Sequence, residues 1–303
     1  MNQERTLVLT GVTKRFDEFT AVSDLSLAVR SGRIYGIIGP NGAGKTTTIR
    51  MIVNITAPDS GTIELFGKQM CAELQDRIGY LPEERGLYKK MRVDEQLRFF
   101  GELKSLTRKD ADASINRWLA KMKLTEWKKK RTDELSKGMQ QKIQFITAVM
   151  HDPDLIILDE PFSGLDPVNS ELLKDIVLEL KASGKTIIFS THLMEQAEKL
   201  CDDICLINRS RKILDGPLRE VKQSFGRNAV SLRAEGGADV LEDRTLVAKV
   251  ERHSDDAEVL LAEGADAQKL LERLIAAGTR ISKFELVEPS LHDIFIEKVG
   301  GSE

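Results

Sequence analysis

The chain of 303 residues is poor in cysteine, in aromatic residues and in long apolar runs. Its 3 cysteines are an odd number and are widely spread, which argues against a disulfide framework. Cys201 and Cys205 are expected on one helical face as reduced structural residues, because two thiols without a neighbouring histidine make a poor metal site. No apolar run approaches the ~18 residues that a membrane-spanning helix needs.

The charges are nearly balanced, and the formal net charge is only -3. Nothing in this balance favours a nucleic-acid partner, and none is expected. The N-terminal sequence MNQERTLVLT lacks the apolar core of a signal peptide. We therefore expect a protein of the cytosol, or one bound to a membrane surface from the cytosolic side. The length allows one large domain and a smaller one.

One stretch, IYGIIGPNGAGKTTTIRMIVN at 34–54, organises the chain. A short apolar run predicts a buried strand that leads through a glycine-rich loop into a helix. The pattern G-x-x-x-x-G-K-[ST] is met by Gly39, Gly44, Lys45 and Thr46. Backbone N–H groups of such a loop turn inward around an anion, and the helix N-terminus adds further donors. The pattern predicts a nucleoside triphosphate site, with Lys45 on the β- and γ-phosphates and the Thr46 hydroxyl on Mg²⁺.

Two adjacent carboxylates follow a second apolar run, Leu155–Leu158, which reads as a central strand of a parallel sheet. Asp159 suits Mg²⁺, and Glu160 suits a general base for an attacking water. A later strand leads to His192, which can then approach the γ-phosphate. These residues predict phosphate chemistry at one edge of the sheet.

Residues from about 90 to 150 show helical periodicity and predict a helical region. It contains WKKKR at 127–131, for which a solvated face is the usual explanation and lipid headgroups or a partner are the alternatives. Ser136 stands at the N-cap position of the next helix, where capping and phosphate binding are both open. Phe16 either stacks on a purine or, like Phe19, packs under a hairpin.

From Gly216–Pro217 onward the composition shifts, and short strands alternate with helices to predict a small α+β unit. This segment contains no phosphate loop, no metal cluster and no obvious nucleophile. His151 and His253 have no setting that suggests chemistry and are expected at the surface.

With these pieces in order, residues 1–216 closely resemble the nucleotide-binding subunit of ATP-binding cassette (ABC) transporters. GPNGAGKTT resembles the family's Walker A loop, LIILDE its Walker B strand, and SGLD at 163–166 its D-loop. LSKGMQ at 135–140 resembles the signature motif, although Lys137 and Met139 depart from it. Glu83, in LPEERGLY, stands where the family has a glutamine. The segment ending EPSLHDIFIEKV resembles the extra C-terminal domain of bacterial sodium-efflux and drug-resistance exporters.

This resemblance implies an α/β fold, the P-loop NTPase of ABC type. Its parts would be a mixed, mainly parallel core sheet, an antiparallel β subdomain and a helical subdomain at about 90–150. The nucleotide-binding domain would span 1–216, and an accessory α+β domain would span 217–303.

The resemblance also implies roles for individual residues, with ATP and Mg²⁺ as cofactors. Glu160, His192 and Lys45 would be catalytic, and Thr46, Asp159 and Glu83 would serve the metal. Phe16 would stack on the adenine, while Ser136 and Gly138 would close the ATP site of a second subunit. The residues expected to contact nucleotide are Phe16, Gly39, Pro40, Asn41, Gly42, Ala43, Gly44, Lys45, Thr46, Thr47, Glu83, Ser136, Gly138 and Asp166.

The implied function is an ATP-hydrolysing subunit that drives an exporter through a separate membrane permease. It would act as a homodimer or heterodimer of nucleotide-binding subunits on the cytoplasmic side of the cell membrane. The alternative is a soluble ABC ATPase acting on nucleic acid or ribosomes, but such members carry a long coiled coil or two cassettes. An interaction module with an inactive site is opposed by Lys45, Asp159 and Glu160.

Overall fold

Alternating strands and helices build the first part of the chain in this computed structural model. The structure describes residues 4–69, 71–84, 86–225, 229–252, 256–262, 264–287 and 289–300. It divides into two units, Met1–Leu218 and Arg219–Glu303.

The strands of the first unit are β1 (Arg5–Phe16), β2 (Phe19–Arg30), β3 (Ile34–Ile38), β4 (Ser60–Leu65), β5 (Lys68–Gln69), β6 (Ile78–Leu81), β7 (Leu155–Asp159), β8 (Thr186–Thr191), β9 (Asp203–Asn208) and β10 (Arg211–Pro217). The helices up to the start of the second unit are α1 (Lys45–Ile52), α2 (Val93–Leu103), α3 (Arg108–Lys121), α4 (Lys137–Val149), α5 (Pro167–Ala182), α6 (Met194–Leu200) and α7 (Leu218–Ser224).

A six-stranded sheet with the order β10-β9-β3-β8-β7-β6 forms the core, and only the β10–β9 pair is antiparallel. Strands β3, β7 and β8 are buried along their whole length, as expected for central parallel strands. A separate antiparallel sheet has the order β2-β1-β4-β5. The predicted fold class, with its parallel core, antiparallel sheet and helices, is confirmed.

The parallel pairing places the carboxyl ends of three strands at one edge of the core sheet. In register, Asp159 pairs with Ser190 and Ile38 pairs with Thr191. The phosphate loop after β3, the carboxylates at the end of β7 and His192 after β8 therefore meet there, which is where open α/β sheets bind their ligands.

The basic segment at 127–131 lies between α3 and α4, and its cations have partners within the chain. These pairs are Lys128–Asn116, Lys129–Asp94, Lys130–Glu134 and Arg131–Asp133. The pairing favours the solvated-face explanation over contact with lipid headgroups, because the positive charges are largely neutralised by the segment's own neighbours.

The second unit is a four-stranded antiparallel sheet with helices, in the order β12-β13-β11-β14. Its core contains Val230, Val259, Leu270 and Leu274. The elements are β11 (Ala229–Glu235), α8 (Ala238–Leu241), β12 (Val247–Arg252), β13 (Ala257–Leu261), α9 (Ala267–Ala276), β14 (Arg280–Val287) and α10 (Leu291–Gly300). The predicted α+β character is confirmed, although the short α8 was not predicted.

Two minor expectations are wrong, and a third falls outside the described residues. Cys201 follows the end of α6 while Cys205 lies within β9, so the two buried thiols belong to different elements and share no helical face. His151 is partly buried rather than at the surface, and its Nε2 lies 3.2 Å from the Ile78 carbonyl oxygen. Burial lowers the pKa of His151 to about 4. His253 lies outside the described residues.

No helix within the described ranges combines the length and the apolar character that crossing a membrane would require.

Candidate functional site

The phosphate loop runs from the end of β3 to the start of α1 and depends on glycine at two close contacts. A Cβ on Gly39 would lie 2.1 Å from the Ile207 carbonyl oxygen, and one on Gly44 would lie 2.4 Å from the Ala21 carbonyl oxygen. Both distances are shorter than non-bonded atoms can approach. The loop thus wraps closely against its neighbours because these side chains are absent.

Lys45, the first residue of α1, is held inward by the loop itself. Its Nζ donates to the carbonyl oxygens of Gly39 at 2.8 Å and Pro40 at 3.2 Å. The same Nζ lies 3.6 Å from Glu160 Oε1, and Lys45 is only 6% exposed. The Lys45 ammonium can therefore bind an anion such as a phosphate, whose charged oxygens accept hydrogen bonds more strongly than the two neutral carbonyl oxygens do.

Asp159 ends β7 and is fully buried. The Ser190 hydroxyl donates to its Oδ1, whereas its Oδ2 is buried without a hydrogen-bond partner. Burial raises the pKa of Asp159, and the hydroxyls of Ser190 and Thr46 oppose that shift. An unpaired buried carboxylate oxygen beside a threonine hydroxyl fits one side of a Mg²⁺ coordination shell.

The protein's own side chains supply only part of such a shell. Among the described residues, no group of three or more histidine, cysteine, aspartate or glutamate side chains is arranged to hold a metal ion. Magnesium in nucleotide sites typically uses one or two carboxylates and takes its other oxygens from substrate phosphates and water. Asp159 and Thr46 fit that pattern.

Glu160 and His192 form a pair above the sheet edge. His192 Nδ1 lies 3.0 Å from Glu160 Oε1, and Glu160 is only 8% exposed. The backbone of Glu160 is left-handed, with φ of 48°, and its N–H lies 3.2 Å from the Ser190 hydroxyl. In this uncommon backbone conformation the Glu160 carboxylate lies between His192 and Lys45, with Oε1 3.6 Å from the Lys45 Nζ.

A cavity of about 310 Å³ opens beside these residues. Its lining residues are Phe19, Ala21, Asn41, Gly42, Gly44, Lys45, Thr46, Thr47, Glu83 and Glu160. Most of the predicted phosphate-loop residues therefore line one cavity together with Glu83. Gly39 and Pro40 contact Lys45 from outside it, while Ala43 is buried within the loop and its N–H donates to the Pro40 carbonyl.

The aromatic residue at the cavity is Phe19 rather than the predicted Phe16. The two rings belong to residues paired across the β1–β2 hairpin, where a two-residue turn separates them. Phe16 is half exposed, and the Lys14 ammonium lies 5.5 Å from its ring. The sequence could have indicated Phe19 through the pairing of the hairpin, because the residue opposite Phe16 lies at the same end of the β1–β2 hairpin.

The predicted signature and D-loop residues do not line this cavity. Ser136 is the N-cap of α4, where its hydroxyl accepts from the Met139 N–H at 3.3 Å. Asp166 is the N-cap of α5 and accepts from the Asn169 N–H at 3.0 Å. A Cβ on Gly138 would meet only Leu165 at 3.6 Å, so this helix end has open space next to it. Within the described part of one chain, these residues are separate from the Lys45 site.

Comparisons with known proteins agree with this arrangement. Residues 22–163 match a family model described as ABC transporter, and residues 216–299 match one described as the C-terminal domain of DrrA1-3-like ATP-binding proteins. The uncharacterized ABC transporter ATP-binding protein YhaQ of Bacillus subtilis (strain 168) is 44% identical over 294 residues, which cover 97% of this chain and 98% of that protein.

A second relative, the Nod factor export ATP-binding protein I of Burkholderia lata, is 34% identical over 294 residues, with 95% of each chain covered. A solved ATP binding subunit of an ABC transporter is 29% identical with a TM-score of 0.68, covering 73% of this chain and 93% of that one. The chain therefore belongs to the ATP-binding subunits of ABC transporters, and it carries the additional C-terminal domain. The resemblance identified from the sequence is confirmed.

Proposed function

We propose that this chain hydrolyses ATP with Mg²⁺ and uses the reaction to drive a membrane permease. The observation that carries the proposal is the convergence of Lys45, Glu160 and His192 beside the phosphate-loop cavity. A site that only bound nucleotide would not need a buried carboxylate held by a histidine at this point.

Lys45 and the loop N–H groups bind the phosphates, and Lys45 exchanges its present acceptors for phosphate oxygens. Asp159 and Thr46 would hold Mg²⁺, which would supply charge neutralisation for the phosphates. Glu160 accepts a proton from the attacking water, and His192 keeps the Glu160 carboxylate oriented and lies near the γ-phosphate. Glu83 lines the same cavity and would serve Mg²⁺ directly or through water.

We also propose that a complete site needs two chains. Ser136 and Gly138 stand apart from the Lys45 cavity, at the exposed N-terminus of α4, where backbone N–H groups favour an anion. In a head-to-tail dimer, whether homodimer or heterodimer, these residues close the ATP site of the partner, and Asp166 lies at the same interface. Phe16, or Phe19 opposite it, stacks on the adenine.

The permease is a separate polypeptide, and the subunit works at the cytoplasmic face of the cell membrane. Export as the direction of transport is supported by the name of the Nod factor export relative. Residues 217–303 form an accessory domain of this subunit.

The direct test is Glu160→Gln in the full-length protein. Loss of the base is expected to lower steady-state ATP hydrolysis by roughly 10²–10⁴-fold while ATP binding is kept. The glutamine keeps the shape of the side chain, so thermal stability serves as the control. Hydrolysis close to the wild-type rate would contradict the assignment of Glu160. If this variant stays monomeric in gel filtration with ATP and Mg²⁺ present, the proposed dimer is contradicted.

A further inference from the structure

Helix α4 carries glutamines whose side-chain amides donate to backbone carbonyls of the loops around the site. Gln140 Nε2 donates to Thr132 and Leu135, just before Ser136, at 3.1 and 3.0 Å. Gln141 Nε2 lies 3.3 Å from the Pro161 carbonyl oxygen, just after Glu160. The third, Gln144, reaches a different loop, and the function described above does not use it.

Gln144 holds the backbone on both sides of Glu83. Its Nε2 donates to the carbonyl oxygens of Pro82 at 3.2 Å and Glu84 at 2.9 Å. Strand β6 ends at Leu81, so this loop has left the sheet and no strand pairing fixes its backbone. Glu83, between the two anchored carbonyls, is the residue of this loop that lines the nucleotide cavity.

The orientation of the Gln144 amide follows from its surroundings. Both N–H donors of the amide are engaged by the two carbonyls, and reversing the amide would point its oxygen at two other oxygens. The Oε1 atom is buried without a hydrogen-bond partner, and the side chain is only 3% exposed. A methionine of similar length would fill this space without an unpaired oxygen, so the donors are what distinguish glutamine here.

Gln144 also lines a groove of about 370 Å³ together with Tyr80, Pro82 and Phe100. Gly86 and Leu87 of the loop that carries Glu83 line the same groove, so Gln144 and this loop meet there. Because Ser136 is the N-cap of α4 and Gly138 lies in its first turn, one helix connects the signature residues with the loop at the cavity.

We propose that Gln144 is a positioning residue that fixes the Glu83 loop so that the Glu83 carboxylate faces the magnesium side of the nucleotide cavity. This rests on the proposed function, because it takes Glu83 to serve Mg²⁺. Gln144 touches neither nucleotide nor metal and acts only through the backbone at Pro82 and Glu84.

The test compares Gln144→Met with Thr147→Val in the full-length protein. Thr147 lies one turn further along α4, lines the same groove, and its hydroxyl bonds only to the Gln144 carbonyl among the described contacts. Gln144→Met is expected to raise the Mg²⁺ concentration for half-maximal hydrolysis about 10-fold, as loss of an outer-shell support typically does. Thr147→Val is expected to leave it unchanged.

A double-mutant cycle separates positioning from general packing. If Gln144 acts through Glu83, then Gln144→Met in a Glu83→Ala background causes no further rise in the Mg²⁺ requirement. A further rise there, or a wild-type requirement in Gln144→Met itself, overturns the proposal. Gln144→Leu also lacks the donors and is expected to shift the requirement in the same direction, which provides a second variant if the methionine variant does not fold.

Limited proteolysis provides a readout that does not depend on ATP hydrolysis. Cleavage by a glutamate-specific protease after Glu83 or Glu84 is expected to be faster in Gln144→Met, but not in Thr147→Val, than in the wild type, because the backbone there loses its anchor. An unchanged cleavage rate at this loop overturns the positioning role even if the protein proves inactive. Absence of hydrolysis by the wild type would instead contradict the proposed function, so the two failures can be distinguished.

Discussion

At the phosphate loop, Gly44 is a fixed glycine of the motif and Gly42 is one of its variable positions, and the two have different surroundings. Gly42 and Gly44 both have positive φ, at 78° and 107°. A Cβ on Gly44 would lie 2.4 Å from the Ala21 carbonyl oxygen, whereas one on Gly42 would meet nothing within 4 Å. Gly42 is therefore a control for an alanine at positive φ that meets no neighbouring atom.

We expect Gly44→Ala to lower thermal stability and ATP affinity more than Gly42→Ala does. An alanine near the left-handed region, where Gly42 lies, costs about 1–2 kcal/mol. At Gly44 the φ of 107° adds strain, and the clash with the Ala21 carbonyl oxygen of β2 adds to it. Thermal denaturation and titration with a non-hydrolysable ATP analogue measure both effects. Equal losses in the two variants would show that the contact with Ala21 is unimportant.

Single residues were predictable where the chemistry needs a fixed residue type at a fixed spacing. Lys45 and Thr46 follow from the phosphate loop, and Asp159 and Glu160 follow from their position after an apolar strand. Phe19 and Gln144 could not be found this way, because their positions depend on the tip of a hairpin and on a distant loop. The sequence gives no local pattern for a glutamine that donates to carbonyls about 60 residues earlier.

Helix α4 has one residue, Ser136, with two roles: it caps the helix, and we propose that it contacts the partner subunit's ATP. Ser136 caps the helix, so its removal would cost roughly 1 kcal/mol of stability whatever its other role. Ser136→Ala therefore cannot separate the two roles. Ser136→Asp can, because aspartate caps as well as serine but places a negative charge where the partner's phosphates would bind.

We expect Ser136→Asp to keep wild-type thermal stability and monomer ATP affinity while losing hydrolysis. Stability is measured by thermal denaturation, and binding is measured at protein concentrations too low for dimers. A fall in the ATP affinity of the monomer would place Ser136 at the site of its own chain and contradict the head-to-tail arrangement.

Mixing Ser136→Asp with Lys45→Ala subunits provides the matching control. In a head-to-tail heterodimer one site collects both substitutions and the other collects neither. Some hydrolysis should return on mixing if one intact site can turn over.

The type of most elements was predictable, while their ends and some of their neighbours were not. The buried runs of β3 and β7 and the helical periodicity of α2 and α3 were assigned correctly because burial fixes the residue pattern. Cys201 and Cys205 were misassigned because a spacing of four suggests a helix, whereas α6 ends before Cys201 and a new strand begins at Asp203. Residue spacing alone does not show where one element stops.

For the whole molecule, the division into two units allows the accessory role of the second unit to be tested. Its sheet and its core residues Val230, Leu270 and Leu274 belong to that unit itself. We expect deletion of the chain after Leu218 to leave ATP binding by the monomer intact. If the second unit tethers two subunits, the deletion weakens dimerisation by lowering the effective concentration of the partner.

Analytical ultracentrifugation and the dependence of specific activity on protein concentration measure this effect. Activity per chain is expected to fall more steeply on dilution in the truncated protein than in the full chain. A truncated protein that folds but does not bind ATP would show that the second unit belongs to the nucleotide site.

Two of the three cysteines are buried and the third, Cys71, is exposed, so Cys71 can carry a spectroscopic label in the unmodified protein. Burial raises the pKa of Cys201 and of Cys205, so their thiols remain protonated and inaccessible to thiol-specific dyes. Cys71 is exposed and lies shortly before β6, the strand that leads into the Glu83 loop. A fluorophore or spin label would attach there without any engineered cysteine, and its signal would follow this segment in real time during turnover.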